Sequence, residues 1–491
     1  SLPHLHLHKP PPHSGLRKRR TELNSQGIPS ALRDDIPPEL RDLREIDDAI
    51  HALCSEQEQI VAETLQQPED HAQLNKASLA AQRSKRSSAL SAARDGFIGR
   101  ATNSWISPLV VVADDDWDKK VKAMEDLHPP GDQADELFPS DHCIPAVTSA
   151  QLRKAVAKCA TGASPGLTGW TADVLKLLVQ DADLVTPLAA IFTDIVNNNL
   201  SAEIRHRLTT CRLVAIPKGV AGTAFRPIAA GECFLKVAAH IGLARCDGCI
   251  TPIFDGTQFG INCPGGAEKV IHRLRKSNRR YLLLTDLRNG FNSPHRQCMF
   301  DAIKAHKGLH PLWNLWNLSY SEPTDLRLSD GNNVRVLKSE SGSRQGDVLA
   351  VLWFNLVIQP ALDRAKAKIR EFGFSMDIHA YCDDITLSGD NPEELAEIFL
   401  MLSEEFANIG LEQAPGKCHW FDTKGEGNKP AALSAVIDDT PRGYVVVLGA
   451  KIGHDVQAAD ALVDQVKTWE AAYALLDWLP RPLQYAIPQQ C

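Results

Sequence analysis

The sequence has no apolar run long enough to cross a membrane and no visible signal peptide. Its twelve cysteines are scattered singly, unlike the dense disulfide framework of a small secreted protein. The one close pair, Cys246 and Cys249, has no second pair to match it. Zinc binding with Cys263 and His272 is therefore a weaker interpretation than ordinary thiols. These absences argue against membrane and disulfide-stabilised classes and predict a reduced intracellular protein, in the nucleus or the cytoplasm.

An overall positive charge is also missing, since the formal net charge at pH 7 is −8. That value argues against a chain that simply coats nucleic acid. The charge is unevenly distributed, however. Residues 201–290 carry 14 Lys or Arg and six Asp or Glu, a net charge of +8, which leaves −16 for the remainder. A local basic region in an acidic protein suits a groove for a polyanion, although a solvated helix face would give the same count.

The length of 491 residues exceeds one ordinary domain core, so two or three units are expected. Residues 1–38 are rich in His and Pro and contain a basic run, which predicts a disordered segment. Residues 39–140 predict a polar helical extension and a linker, and a compact region is expected to begin near Pro145. Because the first residue is Ser1 and not Met, we expect a piece of a longer polypeptide.

Strand pairs alternate with helices along the compact region, which predicts the α+β class. CRLVAIPK and FRPIA predict a hairpin, YLLLTDL a buried strand, and MDIHAYCDDITLSG two strands joined by a tight turn. The long apolar stretch 348–369 predicts a helix, and PEELAEIFLMLSEEFANIG predicts an amphipathic helix that ends near Gly410. YVVVLGAKIG predicts a last pair of strands.

Three acidic residues are predicted at the ends of apolar strands. Asp383 and Asp384 lie at the turn of AYCDDITLSG, and Asp286 ends the strand YLLLT. Buried carboxylates are costly unless a cation compensates them, and their hard oxygen atoms suit Mg²⁺. Two such ions can clamp the attacking and leaving oxygens of an in-line displacement, as in nucleotidyl transfer. An isolated Asp-Asp pair is common in turns, so the surrounding sequence has to decide.

Eight motifs follow one another between about residue 145 and residue 491. They are ASPGLTGWTADVLKLL, RLVAIPKGVAGTAFRPIAAGECFLKVAA, GTQFGINCPGGAEKVIHRLR, LLLTDLRNGFNSPHR, GSRQGDVLAVLWFNLVIQPAL, AYCDDITLSG, GLEQAPGKCHWF and YVVVLGAKIG. In this order they resemble the blocks of reverse transcriptases, in particular those of non-long-terminal-repeat retrotransposons. The sequences RPIAAGECFLK and PGGAE are most similar to those of the spliced-leader-associated elements of trypanosomes. Each motif is weak alone, but eight in the family's order form a specific signal.

The resemblance implies a right-hand polymerase with fingers at 145–280, a palm with an antiparallel sheet at 281–455, and the start of a truncated thumb at 456–491. It implies RNA-directed DNA polymerase activity with two Mg²⁺ ions, for which Mn²⁺ could substitute. The expected partners are an RNA template, a DNA primer and deoxynucleoside triphosphates, with no membrane; the sequence leaves the oligomeric state open.

The resemblance also implies a role for individual residues. The metal ligands would be Asp286, Asp383 and, as a lesser ligand, Asp384, while the backbone carbonyl of Leu287 would face the nucleotide-side ion. Phe291 would be the steric gate against a 2′-hydroxyl group. The remaining assignments are Lys218 and Arg226 for the nucleotide phosphates, Gln345 and Gly346 for the incoming base pair and template, Tyr381 for the primer end, and Lys417 for the pyrophosphate leaving group.

Three positions differ from the residues that are usual in the family's motifs. Gly290 replaces Ala, Val348 replaces Pro, and Cys382 precedes the Asp-Asp pair where Asn or Ser is more usual. Glycine at 290 would add backbone freedom in a strand that should be rigid. Two other interpretations therefore remain: a catalytically silent nucleic-acid-binding remnant, and an RNA-directed RNA polymerase, against which Phe291 argues. No complete thumb and no endonuclease signature is visible in the sequence.

Overall fold

The computed structural model describes residues 117–131, 143–218, 224–254, 256–425, 429–434, 437–439 and 443–453, all within one unit that spans Ala77–Glu470. The predictions for 1–38 and 456–491 lie outside the described residues, as does most of 39–140.

The α-helices of the described part are α1 Trp117–Asp126, α2 Ser149–Lys158, α3 Ala172–Leu178, α4 Ala182–Val196, α5 Ala202–Thr209, α6 Cys233–Phe254, α7 Gly266–Ser277, α8 Arg296–Ala305, α9 Trp313–Tyr320, α10 Ala350–Phe372, α11 Pro392–Ala407 and α12 Ala431–Ser434. Two 3₁₀ turns, Lys307–Leu312 and Pro415–Lys417, join them. Within the described ranges, no helix combines the length and the apolar content that a membrane crossing requires.

The strands of the described part are β1 Cys211–Lys218, β2 Ala224–Ala230, β3 Tyr281–Thr285, β4 Leu287–Arg288, β5 Thr324–Ser329, β6 Val334–Ser339, β7 Met376–Tyr381, β8 Asp384–Gly389, β9 Glu412–Gln413, β10 His419–Asp422, β11 Asp438–Asp439, β12 Tyr444–Val447 and β13 Ala450–Gly453. The predicted hairpins β1–β2, β7–β8 and β12–β13 are confirmed, each with antiparallel pairing.

A five-stranded sheet has the order β11-β10-β3-β8-β7. All its pairs are antiparallel except β10 with β11. β3 lies in the middle of this sheet and is covered on both faces, with Tyr281 and Leu283 in one apolar cluster and Leu282 in another. Burial on both faces explains why the strand reads as a continuous apolar run and not as an alternating pattern. Helices α10 and α11 supply much of the core on the first face.

A four-stranded sheet has the order β2-β1-β5-β6, in which β1 and β5 run parallel. The predicted boundaries place β5 and β6 in the segment 281–455, together with β3 and β8. In the structure these two strands instead extend the β1–β2 hairpin, with Leu213 opposite Leu328. Alternating apolar residues on one side of all four strands bury a shared core, and this long-range pairing is not visible in local sequence signals.

Helix α1 covers this core, because the Met124 side chain is fully buried among residues of the four-stranded sheet. The Arg335 guanidinium donates to the Glu125 carboxylate at 2.8 Å and ties the helix to β6 at the edge of the same sheet. The linker predicted within residues 39–140 is therefore helical at Trp117–Asp126. The acidic residues and the Pro-Pro-Gly sequence in this region are typical of a linker, although a short amphipathic helix forms there. Compact structure therefore begins before Pro145.

Helix ends follow the local signals. Thr148 caps α2 with a capping box that includes Gln151. Asn391 caps α11 by accepting from the backbone N–H groups of Glu393 and Glu394. The chain leaves α11 through Gly410, whose φ of +80° suits glycine. The two ends of α11 fix the length of a helix that packs on the five-stranded sheet.

His379 of β7 is buried in this sheet with its ring 6.0 Å from the Phe259 ring, and its Nδ1 atom has no hydrogen-bond partner in the described part of the chain. Burial lowers the pKa of His379 to about 4, helped by the charge of Arg273 and opposed by that of Asp377. Because the folded pKa lies below the ordinary value of about 6.5, the unfolded chain takes up the proton first. The contribution of this residue to stability is therefore complete above pH 6.5 and is lost as pH falls toward 4.

We expect the free energy of unfolding to fall between pH 7.5 and pH 5, with about 2 kcal/mol of that fall due to His379. The variant His379→Phe should remove this part of the acid sensitivity. Urea unfolding of both proteins at the two pH values measures the difference. Equal losses in the variant and the parent chain would contradict the assignment.

Candidate active site

Asp286 lies where one strand of the five-stranded sheet stops and the chain changes partner. β3 ends at Thr285, and β4 pairs with β9, so Asp286 stands between two sheets. Its carbonyl oxygen accepts the Ala414 N–H at 2.8 Å, which fixes the backbone. Its carboxylate pairs with the Lys417 ammonium at 3.3 Å. The side chain is 38% exposed and thus reaches solvent at the edge of the sheet.

Asp383 and Asp384 stand at the same edge. The β7–β8 hairpin pairs Tyr381 with Asp384, so its turn consists of Cys382 and Asp383. β8 also pairs with β3, and the last pair is Thr285 with Ile385. That register brings the end of β3 beside the start of β8. The structure therefore brings together the three aspartates predicted from the sequence, at adjacent strand ends.

The electrostatics show that the negative charge of these carboxylates is only partly compensated. Burial raises the pKa of Asp383, and the charge of Asp286 raises it further, while Lys218 and Arg226 lower it. Asp384 retains exposed surface but is crowded by protein. That crowding, together with the charges of Asp383 and Asp286, raises its pKa to about 6. A local excess of negative charge is the condition that a bound cation relieves.

A metal ion fits the chemistry of this donor set, since three carboxylates offer hard oxygen ligands. In the part of the chain that the structure describes, no group of three or more His, Cys, Asp or Glu side chains converges closely enough to hold an ion. The aspartates are neighbours whose carboxylates repel one another. A divalent cation would draw them together, and Lys417 is the cation that pairs with Asp286 here.

The predicted phosphate ligands lie on one face of the β1–β2 hairpin. Ile216 pairs with Arg226, and Lys218 pairs with Ala224, so the two cationic residues are diagonal neighbours. Both are exposed. The positive charges of Lys218 and Arg226 lower the pKa of Asp383, so both residues lie within electrostatic range of that carboxylate.

Gln345 and Gly346 pack against β2 of the four-stranded sheet. The Gln345 carbonyl accepts the Ala229 N–H of β2 at 2.7 Å. Gly346 has a φ of +108°, and a Cβ atom there would lie 2.6 Å from the Ala229 carbonyl oxygen. Only glycine allows the loop to approach β2 this closely. Both residues are thus placed next to the hairpin that carries Lys218 and Arg226.

Phe291 lies in a turn after β4, and its half-buried ring stacks on Phe354 of α10 with centroids 4.9 Å apart. Its carbonyl accepts the Ser343 N–H at 2.7 Å. Gly290 is part of this turn, so the expectation of a glycine inside a strand is wrong. A Cβ atom at 290 would lie 3.3 Å from the Phe354 ring, so glycine leaves room for the residue that supports Phe291.

Leu287 is buried on β4, and Tyr381 is half-buried at the end of β7, next to the turn of the aspartates. Lys417 ends a 3₁₀ turn, and its side chain is 58% exposed. The residues predicted for the site therefore lie on the segments that carry or flank the three aspartates, on the β1–β2 hairpin, or next to that hairpin.

The sequence analysis missed a buried cluster behind Gln345. The Tyr320 hydroxyl donates to the Asp347 carboxylate at 2.5 Å, and the guanidinium groups of Arg344 and Arg296 lie 4.8 and 5.2 Å from the Tyr320 ring centroid. Arg296 donates only to oxygen atoms of neutral groups, among them the Ser339 carbonyl at 3.0 Å, and burial lowers its pKa to about 9. The cluster fixes both ends of the segment that contains Gln345 and Gly346. In the sequence, this cluster is indicated only by the arginines within the motifs SRQGD and SPHR.

Known proteins match this chain over the same region. The family model for reverse transcriptase (RNA-dependent DNA polymerase) matches residues 216–437. The retrotransposable element SLACS 132 kDa protein of Trypanosoma brucei gambiense is 28% identical over 318 residues, which cover 64% of this chain and 26% of that protein. The retrovirus-related Pol polyprotein from type-1 retrotransposable element R2 of Nasonia vitripennis is 27% identical over 146 residues, which cover 28% of this chain and 14% of that protein.

The chain thus spans about a quarter or less of the length of these curated relatives. The matched region contains the three aspartates, Lys218, Arg226 and Lys417. The resemblance predicted from the eight motifs is confirmed over residues 216–437, which match the reverse transcriptase family model, and both relatives are proteins of retrotransposable elements.

Proposed function

We propose that this chain is an RNA-directed DNA polymerase that extends a DNA primer on an RNA template. The observation that carries the proposal is the meeting of Asp286, Asp383 and Asp384 at one sheet edge, opposite a hairpin face with Lys218 and Arg226. Uncompensated carboxylates opposite exposed cations suit a ligand with both a metal-binding and an anionic part. A nucleoside triphosphate with its divalent cation has both.

The three aspartates would hold divalent cations, Mg²⁺ in the first place and Mn²⁺ as a substitute. Asp286 and Asp383 would be shared ligands, Asp384 a lesser one, and the Leu287 carbonyl would face the nucleotide-side ion. When bound, two such ions supply a more acidic primer hydroxyl and neutralise the triphosphate. The raised pKa values of Asp383 and Asp384 support this role, because the pair carries a charge excess that a cation would relieve.

Binding of the triphosphate would fall to the β1–β2 hairpin. Arg226 would make a bidentate contact with phosphate oxygens, and Lys218 would act as a point charge. The primer 3′-oxygen then attacks the α-phosphorus, a new O–P bond forms, and the bond to the β-phosphate oxygen breaks. The proton of the primer hydroxyl leaves to solvent or to a carboxylate.

Lys417 would neutralise or protonate the pyrophosphate that leaves. Its ammonium group stands 3.3 Å from Asp286 on an exposed side chain, so it can exchange that carboxylate for a phosphate without a backbone change. Phe291 would exclude ribonucleotides, since a ring held by Phe354 leaves no room under the sugar for a 2′-hydroxyl group. Gln345 and Gly346 would line the incoming base pair, and Tyr381 would lie near the primer end.

In this proposal the five-stranded sheet is the palm and the four-stranded sheet belongs to the fingers. β5 and β6 then join the fingers, although they follow β3 in the chain. The assignment is supported by the position of the aspartates on the first sheet and of Lys218 and Arg226 on the second. The fingers boundary of 145–280 would need to include 117–126 and 324–339.

Primer extension by the 491-residue chain tests the proposal. An RNA template with an annealed DNA primer is incubated with Mg²⁺ or Mn²⁺ and with either deoxynucleoside or ribonucleoside triphosphates. We expect extension with deoxynucleotides and a divalent cation, and none with EDTA. Preference for ribonucleotides would instead support an RNA polymerase. A gel shift without incorporation under every condition would support a silent nucleic-acid-binding remnant and overturn the proposal.

A further inference from the structure

The turn that carries the aspartates has a strained backbone. Cys382 has a φ of +55°, a conformation that residues with a Cβ atom rarely adopt. Such a conformation persists only when neighbouring groups hold it in place. Because Cys382 directly precedes Asp383, its backbone decides where the next two carboxylates point.

Gln258 makes the hydrogen bond that holds this backbone. Its side-chain Oε1 atom accepts the Cys382 N–H at 2.7 Å and also the Gly260 N–H at 3.1 Å. The side chain is on a residue only 3% exposed. The bond to Cys382 is thus a short contact, shielded from water, between segments far apart in the sequence.

The segment that carries Gln258 is itself fixed to β7. Gln258 forms a parallel bridge with Ala380. On either side of that bridge, the Ala380 N–H donates to the Thr257 carbonyl at 3.0 Å, and the Phe259 N–H donates to the Ala380 carbonyl at 2.7 Å. The acceptor oxygen is therefore held by the strand that leads into the turn.

The fit between the segment and the turn is close. A Cβ atom at Gly260 would lie 2.7 Å from the Cys382 nitrogen and 2.6 Å from its Sγ atom. On the other side, the Asn355 side chain of α10 donates to the same sulfur at 3.7 Å. The Cys382 backbone and side chain are both enclosed.

The amide nitrogen of Gln258 forms no hydrogen bond of this kind within the described residues. Its Nε2 atom is buried and has no hydrogen-bond partner among the described residues. A buried donor without a partner destabilises the fold. Gln258 thus has a destabilising buried donor, while its Oε1 atom accepts two backbone N–H groups. We infer that the residue serves as a hydrogen-bond acceptor and not merely to fill space.

We propose that Gln258 is a positioning residue for the polymerase reaction: it holds Cys382 in its positive-φ conformation and thereby aims the Asp383 and Asp384 carboxylates. The proposal rests on the proposed function for its effect on rate, but the contact itself is open to a test that needs no activity. Gln258 contacts neither substrate nor metal; it acts through the turn.

The test uses the full chain with Gln258→Met, which keeps the length of the side chain and removes the acceptor. The matched control is Gln359→Met on α10, another buried glutamine, whose Oε1 atom has no hydrogen-bond partner within the described ranges and whose Nε2 atom donates to Asp363 of the same helix at 2.9 Å. We expect kcat for primer extension to fall by about tenfold to a hundredfold in Gln258→Met, since small displacements of catalytic groups have effects of that size. The KM for primer–template should stay unchanged, and the melting temperature should match that of the control.

Two further variants keep the test independent of packing damage. Gly260→Ala leaves Gln258 in place but pushes against the Cys382 nitrogen, and should lower kcat in the same way. Cys382→Gly removes the backbone penalty, because glycine adopts positive φ freely. In that background Gln258→Met should cost no more than about threefold, a non-additivity that a general packing defect would not produce.

The readout that needs no activity is amide exchange in protein labelled with ¹⁵N-cysteine, with the Cys382 signal identified by its loss in Cys382→Ser. We expect its exchange to be at least about tenfold faster in Gln258→Met than in Gln359→Met. Unchanged exchange, or a kcat within twofold of the control in an active protein, would overturn the inference. If the parent chain extends no primer, the proposed function fails, and the exchange rate alone decides whether Gln258 holds the turn.

Discussion

Asp383→Ala should abolish detectable primer extension, with a loss of at least about a thousandfold in kcat, because the variant removes a carboxylate that both cations would share. Primer–template binding, measured by gel shift, should change little, since the nucleic acid would be bound by the basic region at 201–290 and not by this residue. Incorporation of a labelled deoxynucleotide with Mg²⁺ and with Mn²⁺ measures the effect.

The loss would not reflect unfolding. Burial and the neighbouring Asp286 raise the pKa of Asp383, so the ionised carboxylate destabilises the metal-free fold at neutral pH. The variant should therefore melt at a temperature no lower than that of the parent chain. Asp390→Asn is the matched control: it changes an aspartate beyond the far end of β8, which pairs with Arg279 outside the site. Extension by Asp383→Ala at the rate of this control would show that the reaction does not use the proposed carboxylate.

Phe291→Val should relax the choice of sugar. The preference for deoxynucleotides over ribonucleotides, taken as the ratio of kcat/KM values, is expected to fall by about tenfold to a hundredfold, the range that one steric contact in a pocket provides. The ratio should fall because kcat/KM for ribonucleotides rises, while kcat/KM for deoxynucleotides changes only slightly. Single-nucleotide incorporation opposite one template base measures both values.

The control for this variant is Phe372→Leu, at an exposed ring near the end of the helix that carries Phe354. It changes an aromatic side chain without touching the turn at 289–292. An equal sugar preference in Phe291→Val and in the control would remove Phe291 from the role of gate. A loss of both nucleotide types would mean that the ring supports the turn and does not select the sugar.

The parts of the fold that the sequence predicted are those with local signals. The run YLLLT predicted a buried strand, and the apolar flanks of AYCDDITLSG predicted a hairpin with the aspartates at its turn. The strand and the hairpin are confirmed, because burial on both faces and a tight turn leave a signal within a few residues; Asp383 lies in the turn, and Asp384 is the first residue of β8. The meeting of Asp286 with Asp384 depended on the pairing of β3 with β8, which came from the family resemblance and not from spacing.

The parts that escaped prediction depend on contacts between distant segments. The parallel pairing of β1 with β5 has no local signal in the sequence, so nothing there predicted that β5 and β6 extend the β1–β2 hairpin. Helix α1 was not predicted, because the surrounding sequence is acidic and Met124 alone among the residues of this helix is fully buried. Gln258 reads as an ordinary polar residue, and its meaning appears only when the strained backbone of Cys382 is seen beside it.

The central claim is that Asp286 and Asp383 hold divalent cations together at the end of a growing strand. It is tested most directly by Mn²⁺ anomalous diffraction from crystals of the chain with an RNA template, a chain-terminated DNA primer and the next deoxynucleoside triphosphate. The account predicts manganese peaks bridged by the carboxylates of Asp286 and Asp383, beside the triphosphate. Peaks elsewhere, or these two carboxylates facing apart with the triphosphate bound, would contradict it.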